Sequence, residues 1–189
     1  MSAVLVIGFG AASPAWAVPP ADLDPVETLP HCVVTAVEVG NDAALPAPRC
    51  FETFAEAIAE ATDGRVLLPK DAQSVDQDTL DDGIDPDGLE SSLATVIGIE
   101  YEHKSFGGWS YVIQSTNSRG CVGYSYRVST LPGSRNNAIS SARTYGGCRS
   151  AHYSGTYFTG SRYLCGCAQM GTMNDKTSSI FFSATGYQN

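Results

Sequence analysis

Two short polar segments carry the side chains of this sequence that could bind a metal ion. They are residues 136–141, with the sequence NNAISS, and residues 174–179, with the sequence NDKTSS. Ca²⁺ takes six to eight oxygen ligands from carboxylates, amide and backbone carbonyls, hydroxyls and water. A hexapeptide rich in Asn, Asp and Ser offers such oxygens from one loop. The chemistry that these segments favour is therefore calcium coordination.

An aromatic and glycine pattern precedes each polar segment. In both copies an aromatic is followed by Phe after five residues, by Gly after two more and by Tyr after three more. The matching positions are Tyr101, Phe106, Gly108 and Tyr111 in the first copy, and Tyr153, Phe158, Gly160 and Tyr163 in the second. A tightly folded hairpin needs an aromatic that closes over the turn and a glycine that can adopt a positive φ. The repeat therefore predicts two folded hairpins, each paired with one polar segment.

These two copies resemble the Greek-key motif of the βγ-crystallins, in their microbial calcium-binding type. The signature of that family is an aromatic-x4-Phe-x-Gly hairpin followed by N/D-N/D-x-x-S/T-S. The resemblance covers residues 95–187, about half of the chain. It implies a mainly β protein whose C-terminal part is a Greek-key β-sandwich of two motifs, preceded by a small α+β segment.

The resemblance also implies two calcium sites, because paired motifs in this family exchange ligands. Carried over residue by residue, side-chain ligands come from Asn137, Asp175, Ser140 and Ser178, and backbone carbonyls from Ala138, Lys176, Glu102 and Ser154. Asn136 and Asn174 match the motif and are expected to shape the loops. Asp175 is the one carboxylate in the two hexapeptides, so we expect weak sites, with dissociation constants of about 10⁻⁵ to 10⁻³ M.

A second function is compatible with the same resemblance. Secreted actinobacterial proteins of this fold include metalloproteinase inhibitors and killer-toxin-like proteins, whose partner is an extracellular protein or a cell-wall target. Under either reading we expect a monomer that spans no membrane and binds no nucleic acid. The first copy is longer than the second, and its extra residues are expected at residues 115–120 or 129–135.

Charge divides the chain near residue 95. Residues 18–95 hold 17 acidic and three basic side chains, a balance of −14, and residues 96–189 hold three acidic and eight basic ones, a balance of +5. We therefore expect a small α+β segment over residues 18–70, an acidic linker over 71–94 and the βγ-crystallin-like domain over 95–189. The acidic part could be a small domain or a pro-region that masks the basic one.

Apolar periodicity predicts the elements of the first segment. Apolar residues at helical spacing predict one helix over residues 51–62, and alternating residues predict strands over 31–39 and 65–69. In the second segment, Ile97, Ile99 and Tyr101 alternate with polar residues or glycine and predict a strand of a β-sandwich.

Residues 1–17 resemble the end of a secretory signal, with an apolar core and the small-x-small cleavage site Ala15-Trp16-Ala17. The basic start of such a signal is missing, so the signal is expected to be truncated, and the alternative is an N-terminal strand. Export would place the six cysteines in an oxidising compartment, where an even count favours disulfides. The pair Cys32–Cys50 is the local prediction. Zinc is the alternative, although Cys165 and Cys167 lie closer together than zinc ligands usually do.

Catalytic motifs are absent from the sequence. Neither Gly108-Trp109-Ser110 nor Gly123-Tyr124-Ser125 continues into a nucleophile elbow. His31, His103 and His152 fall in no metalloprotease spacing, and His103 and His152 are expected to be exposed to solvent. We therefore expect a protein that is not an enzyme.

Overall fold

In a computed structural model of the protein, the structure describes residues 29–81 and 94–186. The described part contains ten strands and two α-helices. In chain order these are β1 (His31–Thr35), β2 (Val37–Glu38), β3 (Arg49–Phe51), α1 (Phe54–Ala61), α2 (Gln77–Asp81), β4 (Val96–His103), β5 (Gly107–Gln114), β6 (Tyr126–Val128), β7 (Ser141–Thr144), β8 (Arg149–Tyr153), β9 (Arg162–Leu164) and β10 (Ser179–Ser183).

The strands form two five-stranded sheets. The first sheet has the order β3-β1-β5-β4-β7, and the second has the order β2-β6-β10-β8-β9. All pairs are antiparallel except β1 with β5, which run parallel with His31 opposite Ser110. The predicted fold class, a mainly β Greek-key sandwich with a little helix before it, is confirmed.

Two hydrophobic clusters bury both faces of the first sheet. Between the sheets, Ile97 and Tyr111 of the first sheet pack with Tyr126 and Phe182 of the second. On the outer face of the first sheet, Ile99, Tyr101 and Val112 pack against α1. Covering both faces explains why the alternating pattern of β4 does not leave a solvent-exposed side: residues 96–101 are all buried.

Helix α1 confirms the predicted amphipathic helix, with a shifted start. Its N-cap is Thr53, whose side chain accepts a hydrogen bond from Glu56 N at 3.2 Å while the Glu56 carboxylate accepts one from Thr53 N at 3.0 Å. This capping box starts the helix at Phe54 and not at Phe51, which belongs to β3. Phe54, Ala57, Ile58 and Ala61 form the buried face.

Other predicted elements of the first segment differ from the structure. Residues 65–69 form no strand, so that prediction was wrong; Leu67 is largely exposed, and the residues lie in no sheet. The predicted acidic linker contains the short helix α2, whose Leu80 packs under the first sheet. Residues 82–93 and the predicted signal at residues 1–17 lie outside the described residues.

The predicted strand over residues 31–39 is divided between the two sheets. The division falls at Ala36, which is buried and donates its amide hydrogen to Gln114 O at 2.9 Å. Before it, β1 lies in the first sheet; after it, β2 pairs with β6 in the second. The acidic segment therefore contributes strands to both sheets.

Three arginines of the basic part attach it to backbone carbonyls of the acidic part. Arg127 bonds to Asn41 O, Arg135 to Leu29 O at 3.0 Å, and Arg143 to Val75 O at 3.1 Å. Arg143 also lies 3.6 Å from the carboxylate of Asp76, which is mostly exposed. Carbonyl oxygens thus accept most of these bonds, and a single carboxylate takes part.

All six cysteines are paired in disulfides. The pairs are Cys32–Cys50, Cys121–Cys148 and Cys165–Cys167. The predicted local pair is confirmed, and the zinc alternative is excluded because no thiol remains to bind the metal. Within the described residues, no helix has the length and apolar character needed to cross a membrane.

Candidate metal site

The first hairpin joins β4 to β5 and folds as its motif requires. The rings of Tyr101 and Phe106 meet edge to face, with centroids 5.6 Å apart. Ser105 and Phe106 both have a positive φ, and Gly108 follows with φ +78°. A Cβ on Gly108 would lie 2.7 Å from the side chain of Glu102, so glycine is required there.

The second hairpin joins β8 to β9 and repeats this geometry. The rings of Tyr153 and Phe158 lie 5.7 Å apart, again edge to face. Gly160 has the same φ of +78°, and a Cβ there would lie 2.4 Å from Ser154 Oγ. Arg162 stands where the first copy has Ser110, yet it pairs with Tyr153 as Ser110 pairs with Tyr101. The substitution therefore leaves the hairpin register unchanged.

The last serine of each hexapeptide holds its hairpin closed. Ser141 Oγ accepts a hydrogen bond from Phe106 N at 3.0 Å and donates one to His103 O at 2.6 Å. In the second copy, Ser179 Oγ accepts from Phe158 N at 3.0 Å and donates to Gly155 O at 2.7 Å. Each serine thus satisfies two backbone groups inside a turn that cannot pair them itself.

The fifth residue of each hexapeptide, Ser140 or Ser178, bonds to the hairpin aromatic. Ser140 N donates to Tyr101 O at 2.9 Å, and Ser178 N donates to Tyr153 O at 2.8 Å. Glu102 and Ser154 directly follow these two tyrosines. Both predicted hydroxyl ligands therefore lie beside the residues whose carbonyls are predicted to complete the sites.

The two hexapeptides contact each other reciprocally. Asp175 N donates to Ile139 O, and Asn137 N donates to Thr177 O, both at 2.9 Å. Ser140 Oγ donates to Asp175 Oδ1 at 2.9 Å, and Ser178 Oγ donates to Asn137 Oδ1 at 3.2 Å. Each hydroxyl therefore meets the amide or carboxylate oxygen of the other hexapeptide.

We call Ser140 with Asp175 and the neighbouring Glu102 the first site, and Ser178 with Asn137 and the neighbouring Ser154 the second site. Two ligands at 2.3–2.6 Å from one Ca²⁺ commonly stand about 3 Å apart. The oxygen pairs in both sites already have this spacing. Ala138 and Lys176 follow Asn137 and Asp175 directly, so their carbonyls lie in the same two loops.

The backbone at Asn137 and Asp175 is left-handed, with φ of 58° and 54°. Asn and Asp tolerate this conformation better than most residues other than glycine. The requirement for a short oxygen-bearing side chain at the second motif position therefore has a conformational cause as well as a chemical one.

The two sites differ in charge. Asp175 brings a carboxylate to the first site, and Asn174 Nδ2 donates to its second oxygen at 2.6 Å, which leaves Oδ1 to Ser140. The second site has an amide in the equivalent place. The described residues hold no group of three or more His, Cys, Asp or Glu side chains that could bind a metal, so any calcium here depends on the Asp175 carboxylate together with hydroxyl, amide and backbone oxygens.

Arg135 adds a positive charge near the first hairpin. Its guanidinium lies over the Trp109 ring at 4.4 Å and is nearly buried. Burial lowers the pKa of Arg135, and the nearby carboxylate of Glu102 opposes that effect. The Glu102 carboxylate also accepts a hydrogen bond from Trp109 N at 3.2 Å, so this side chain is engaged within the hairpin.

The extra residues of the first copy lie between Gln114 and Ser129. Ser105 N of the first hairpin donates to Ala168 O of the second copy, and Tyr157 N of the second hairpin donates to Ser129 O of the first copy. Ser129 and Ala168 are therefore equivalent residues, and the two copies correspond to within one residue from there to their hexapeptides. The insertion therefore includes the earlier of the two predicted positions, residues 115–120, and extends beyond it toward Ser129. The Cys121–Cys148 disulfide ties the inserted loop to the residues before β8.

Sequence reasoning missed a buried hydrogen-bonded pair between the sheets. Glu100 of β4 and His152 of β8 are both completely buried, with His152 Nε2 3.0 Å from Glu100 Oε2. The expectation that His152 is exposed was therefore wrong, because β8 packs its His152 side against the first sheet. His103 is exposed, as predicted.

No family model matches the chain. No curated protein matches it either.

Solved structures of βγ-crystallin domains are similar to part of the chain. A βγ-crystallin domain from Clostridium beijerinckii is 22% identical and covers 47% of this chain and 98% of its own, with a TM-score of 0.35. One from Flavobacterium johnsoniae is 22% identical and covers 49% of this chain and 99% of its own, with a TM-score of 0.33.

A third is the βγ-crystallin domain of Abundant Perithecial Protein from Neurospora crassa, in the Ca²⁺-bound form. It is 21% identical and covers 47% of this chain and 88% of its own, with a TM-score of 0.32. Each of these three domains is similar to just under half of this chain.

Proposed function

We propose that this protein is an exported calcium-binding module whose two sites are built from exchanged ligands and stabilise the sandwich. The observation that carries the proposal is the reciprocal pairing of Ser140 with Asp175 and of Ser178 with Asn137. Because each site takes one ligand from each motif, bound calcium would hold the two Greek keys together. The Ca²⁺-bound state of the Neurospora crassa domain supports the choice of metal.

Stabilisation follows from binding to the folded state alone. In the folded chain the ligands of one site come from residues 35 positions apart, since Ser140 meets Asp175, and unfolding separates them. A ligand present at 100 times its dissociation constant then adds about 2.7 kcal/mol to the free energy of unfolding.

Export is part of the proposal. The three disulfides support it, because such bonds form and persist in oxidising compartments. The N-terminal sequence of protein collected from the culture medium tests it, and a start at Val18 is expected. Retention of the protein inside the cell would contradict export without bearing on calcium.

Isothermal titration of calcium into chelator-treated protein tests the metal sites. We expect two weak sites in the parent protein. Asp175→Asn and Ser140→Ala should weaken the first site selectively, and Ser178→Ala should weaken the second. Ser134→Ala, an exposed serine outside the hexapeptides, is the matched control and should leave both sites unchanged.

Two results would overturn the proposal. One is the absence of heat at millimolar calcium in the parent protein. The other is a melting temperature that is the same in chelator and in millimolar calcium.

A further inference from the structure

We propose that the Cys165–Cys167 disulfide is a thiol–disulfide exchange site for small thiols that carry a carboxylate. A single residue, Gly166, separates the two cysteines, whereas the other disulfides span 18 and 27 positions. Gly166 is exposed and Cys167 is half-buried. Cys165 is 5% exposed, about as buried as Cys121 at 1% and Cys148 at 6%, so the short disulfide is accessible through Cys167. An external thiolate can therefore reach the short disulfide at Cys167, as it can reach Cys32–Cys50 at the half-buried Cys50, whereas Cys121–Cys148 is buried at both cysteines.

Hydrogen bonds hold the Cys165–Cys167 loop in place independently of its sulfur–sulfur bond. Cys165 N donates to Ser150 O at 3.2 Å, and Ser150 Oγ donates to Cys165 O at 2.6 Å. Cys167 O accepts a hydrogen bond from Ala142 N at 3.0 Å. These bonds anchor the loop to β7 and β8, so the loop keeps its position when the disulfide opens.

The disulfide also contributes little to the stability of the fold. In the chain-entropy model, a disulfide stabilises a protein by restricting the unfolded chain, and the effect grows with the length of the closed loop. The loop between Cys165 and Cys167 is the shortest that leaves a residue between them. Its reduction should therefore not unfold the protein, which an exchange site requires.

A solvent-open cavity is lined by Gly166, the residue between the two cysteines, and is where the body of an incoming thiol would lie. Its volume is about 210 Å³, and it is also lined by Gln77, Phe106, Arg143, Thr144 and Tyr145. It is smaller than the ~300–1,000 Å³ pockets that bind drug-sized ligands, and so favours a molecule near the size of an amino acid.

Arg143 gives the cavity its charge preference. Its guanidinium lies over the Phe106 ring at 4.0 Å, with Nη1 held by Val75 O. Among the described residues, the carboxylate nearest to it is that of Asp76, which is 3.6 Å away and mostly exposed, so solvent screens that pair. A carboxylate on the incoming thiol can therefore compete for Arg143.

The exchange proceeds in two balanced steps. The external thiolate attacks Sγ of Cys167, the more exposed of the two cysteines; a mixed disulfide forms, and Cys165 leaves as a thiolate that takes a proton from solvent. A second external thiolate then attacks the external sulfur of the mixed disulfide and releases Cys167. In total, two external thiols are oxidised to one disulfide, and the protein disulfide is reduced to two thiols.

The test measures reduction of each disulfide in the native full chain. The protein is treated with mercaptopropionate, which is anionic, or with mercaptoethanol, which is neutral, at equal thiolate concentrations. Free thiols are then alkylated and counted by peptide mass spectrometry while circular dichroism follows the fold. We expect Cys165 and Cys167 to be labelled about tenfold or more faster than Cys121 and Cys148, without loss of structure.

Two kinds of variant test the role of Arg143 and the role of the disulfide separately. Arg143→Gln should slow the anionic thiol by about threefold and leave the neutral thiol unchanged, as expected for an exposed ion pair. Arg49→Gln, an exposed arginine on β3, is the matched control and should change neither rate. The double variant Cys165→Ala with Cys167→Ala should fold like the parent protein.

Several outcomes would overturn the proposal. Equal labelling of Cys165–Cys167 and Cys121–Cys148, or unfolding that accompanies the labelling, would show that the short disulfide is structural. The same conclusion follows if the double alanine variant fails to fold. An Arg143→Gln variant with unchanged preference for the anionic thiol would overturn the assignment of the ligand class.

Discussion

At the scale of single residues, one carboxylate distinguishes the two candidate calcium sites. Asp175 in the first site and Asn137 in the second occupy equivalent places, with nearly the same φ and equivalent serine partners. Calcium affinity rises with the number of charged ligands. We therefore expect Asn137→Asp to tighten the second site by about tenfold or more, which calcium titration by calorimetry would measure.

The reciprocal variant provides the control. Asp175→Asn makes the two sites chemically alike, so their affinities should converge at the weaker value. Tightening of both sites by Asn137→Asp would contradict the assignment of this residue to a single site.

His31 makes stability depend on pH. Burial, and then the positive charge of Arg135, lower the pKa of His31 below its usual value of 6.5. The unfolded chain therefore binds a proton more readily than the folded one, and the contribution of His31 to stability is present above pH 6.5. It is lost as the pH falls through the lower pKa of the folded state.

We expect the free energy of unfolding to fall more steeply between pH 7.5 and pH 5 in the parent protein than in His31→Gln. Glutamine can keep a hydrogen bond to Ser110, which His31 contacts at 2.9 Å, without gaining a charge. Urea unfolding at several pH values measures both slopes. Parallel slopes would show that His31 does not carry the effect.

Residues with a local role were predictable from the sequence. The hairpin residues, such as Gly108 and Gly160 and the hairpin aromatics, contact partners within a few residues along the chain. Their spacing in the sequence was therefore enough to predict their role. The burial of Glu100 and His152 was not predictable, because it depends on which strands face each other across the sandwich. No pattern within β4 or β8 alone contains that information.

At the scale of elements, the Glu100–His152 pair links β4 of the first sheet to β8 of the second. Glu100 Oε1 and His152 Nδ1 have no hydrogen-bond partner among the described residues. Removing one partner of a buried hydrogen bond leaves the other unsatisfied and costs about 1–3 kcal/mol, or more if that group is charged. We expect Glu100→Ala and His152→Ala each to lower the free energy of unfolding by this amount, as measured by urea denaturation.

Replacing both residues with leucine should cost less than either single alanine change, because no unpaired polar group then remains in the core. A double variant as unstable as the sum of the two singles would show that the residues act independently. That result would contradict a coupled pair.

Predictions for elements succeeded where the pattern was regular and complete in itself. Helix α1 has an apolar face, a capping box and a glycine after its end, all within a dozen residues. The strand over residues 31–39 appeared continuous, because nothing in its sequence shows that Ala36 passes from one sheet to the other. Residues 65–69 have the composition of a strand but no partner in either sheet.

At the scale of the whole molecule, the acidic and basic parts share one sandwich. β1 covers the edge of β5, and α1 covers Ile99, Tyr101 and Val112. Without residues 1–94, these apolar side chains would face water. We expect a chain of residues 95–189 to be insoluble or largely unfolded, whereas a chain beginning at residue 29 should fold.

Circular dichroism and gel filtration of the two shortened chains test this expectation. Independent folding of residues 95–189, with two calcium sites, would show that the boundary predicted near residue 95 separates autonomous domains. The arginine contacts to Leu29, Asn41 and Val75 would then be secondary to the fold.

The parallel pairing of β1 with β5 also bears on how fast the protein can fold. It brings together residues 79 positions apart, such as His31 and Ser110. The pairing of β2 with β6 is also distant in sequence, because Val37 lies opposite Arg127. Chains dominated by such distant contacts fold in milliseconds to seconds, orders of magnitude more slowly than helical bundles of similar size. Strands β1 and β2 are therefore synthesised before the partners with which they pair. A chain with this order stays unfolded for as long as its second half is withheld, which is the state that the export proposed above would require.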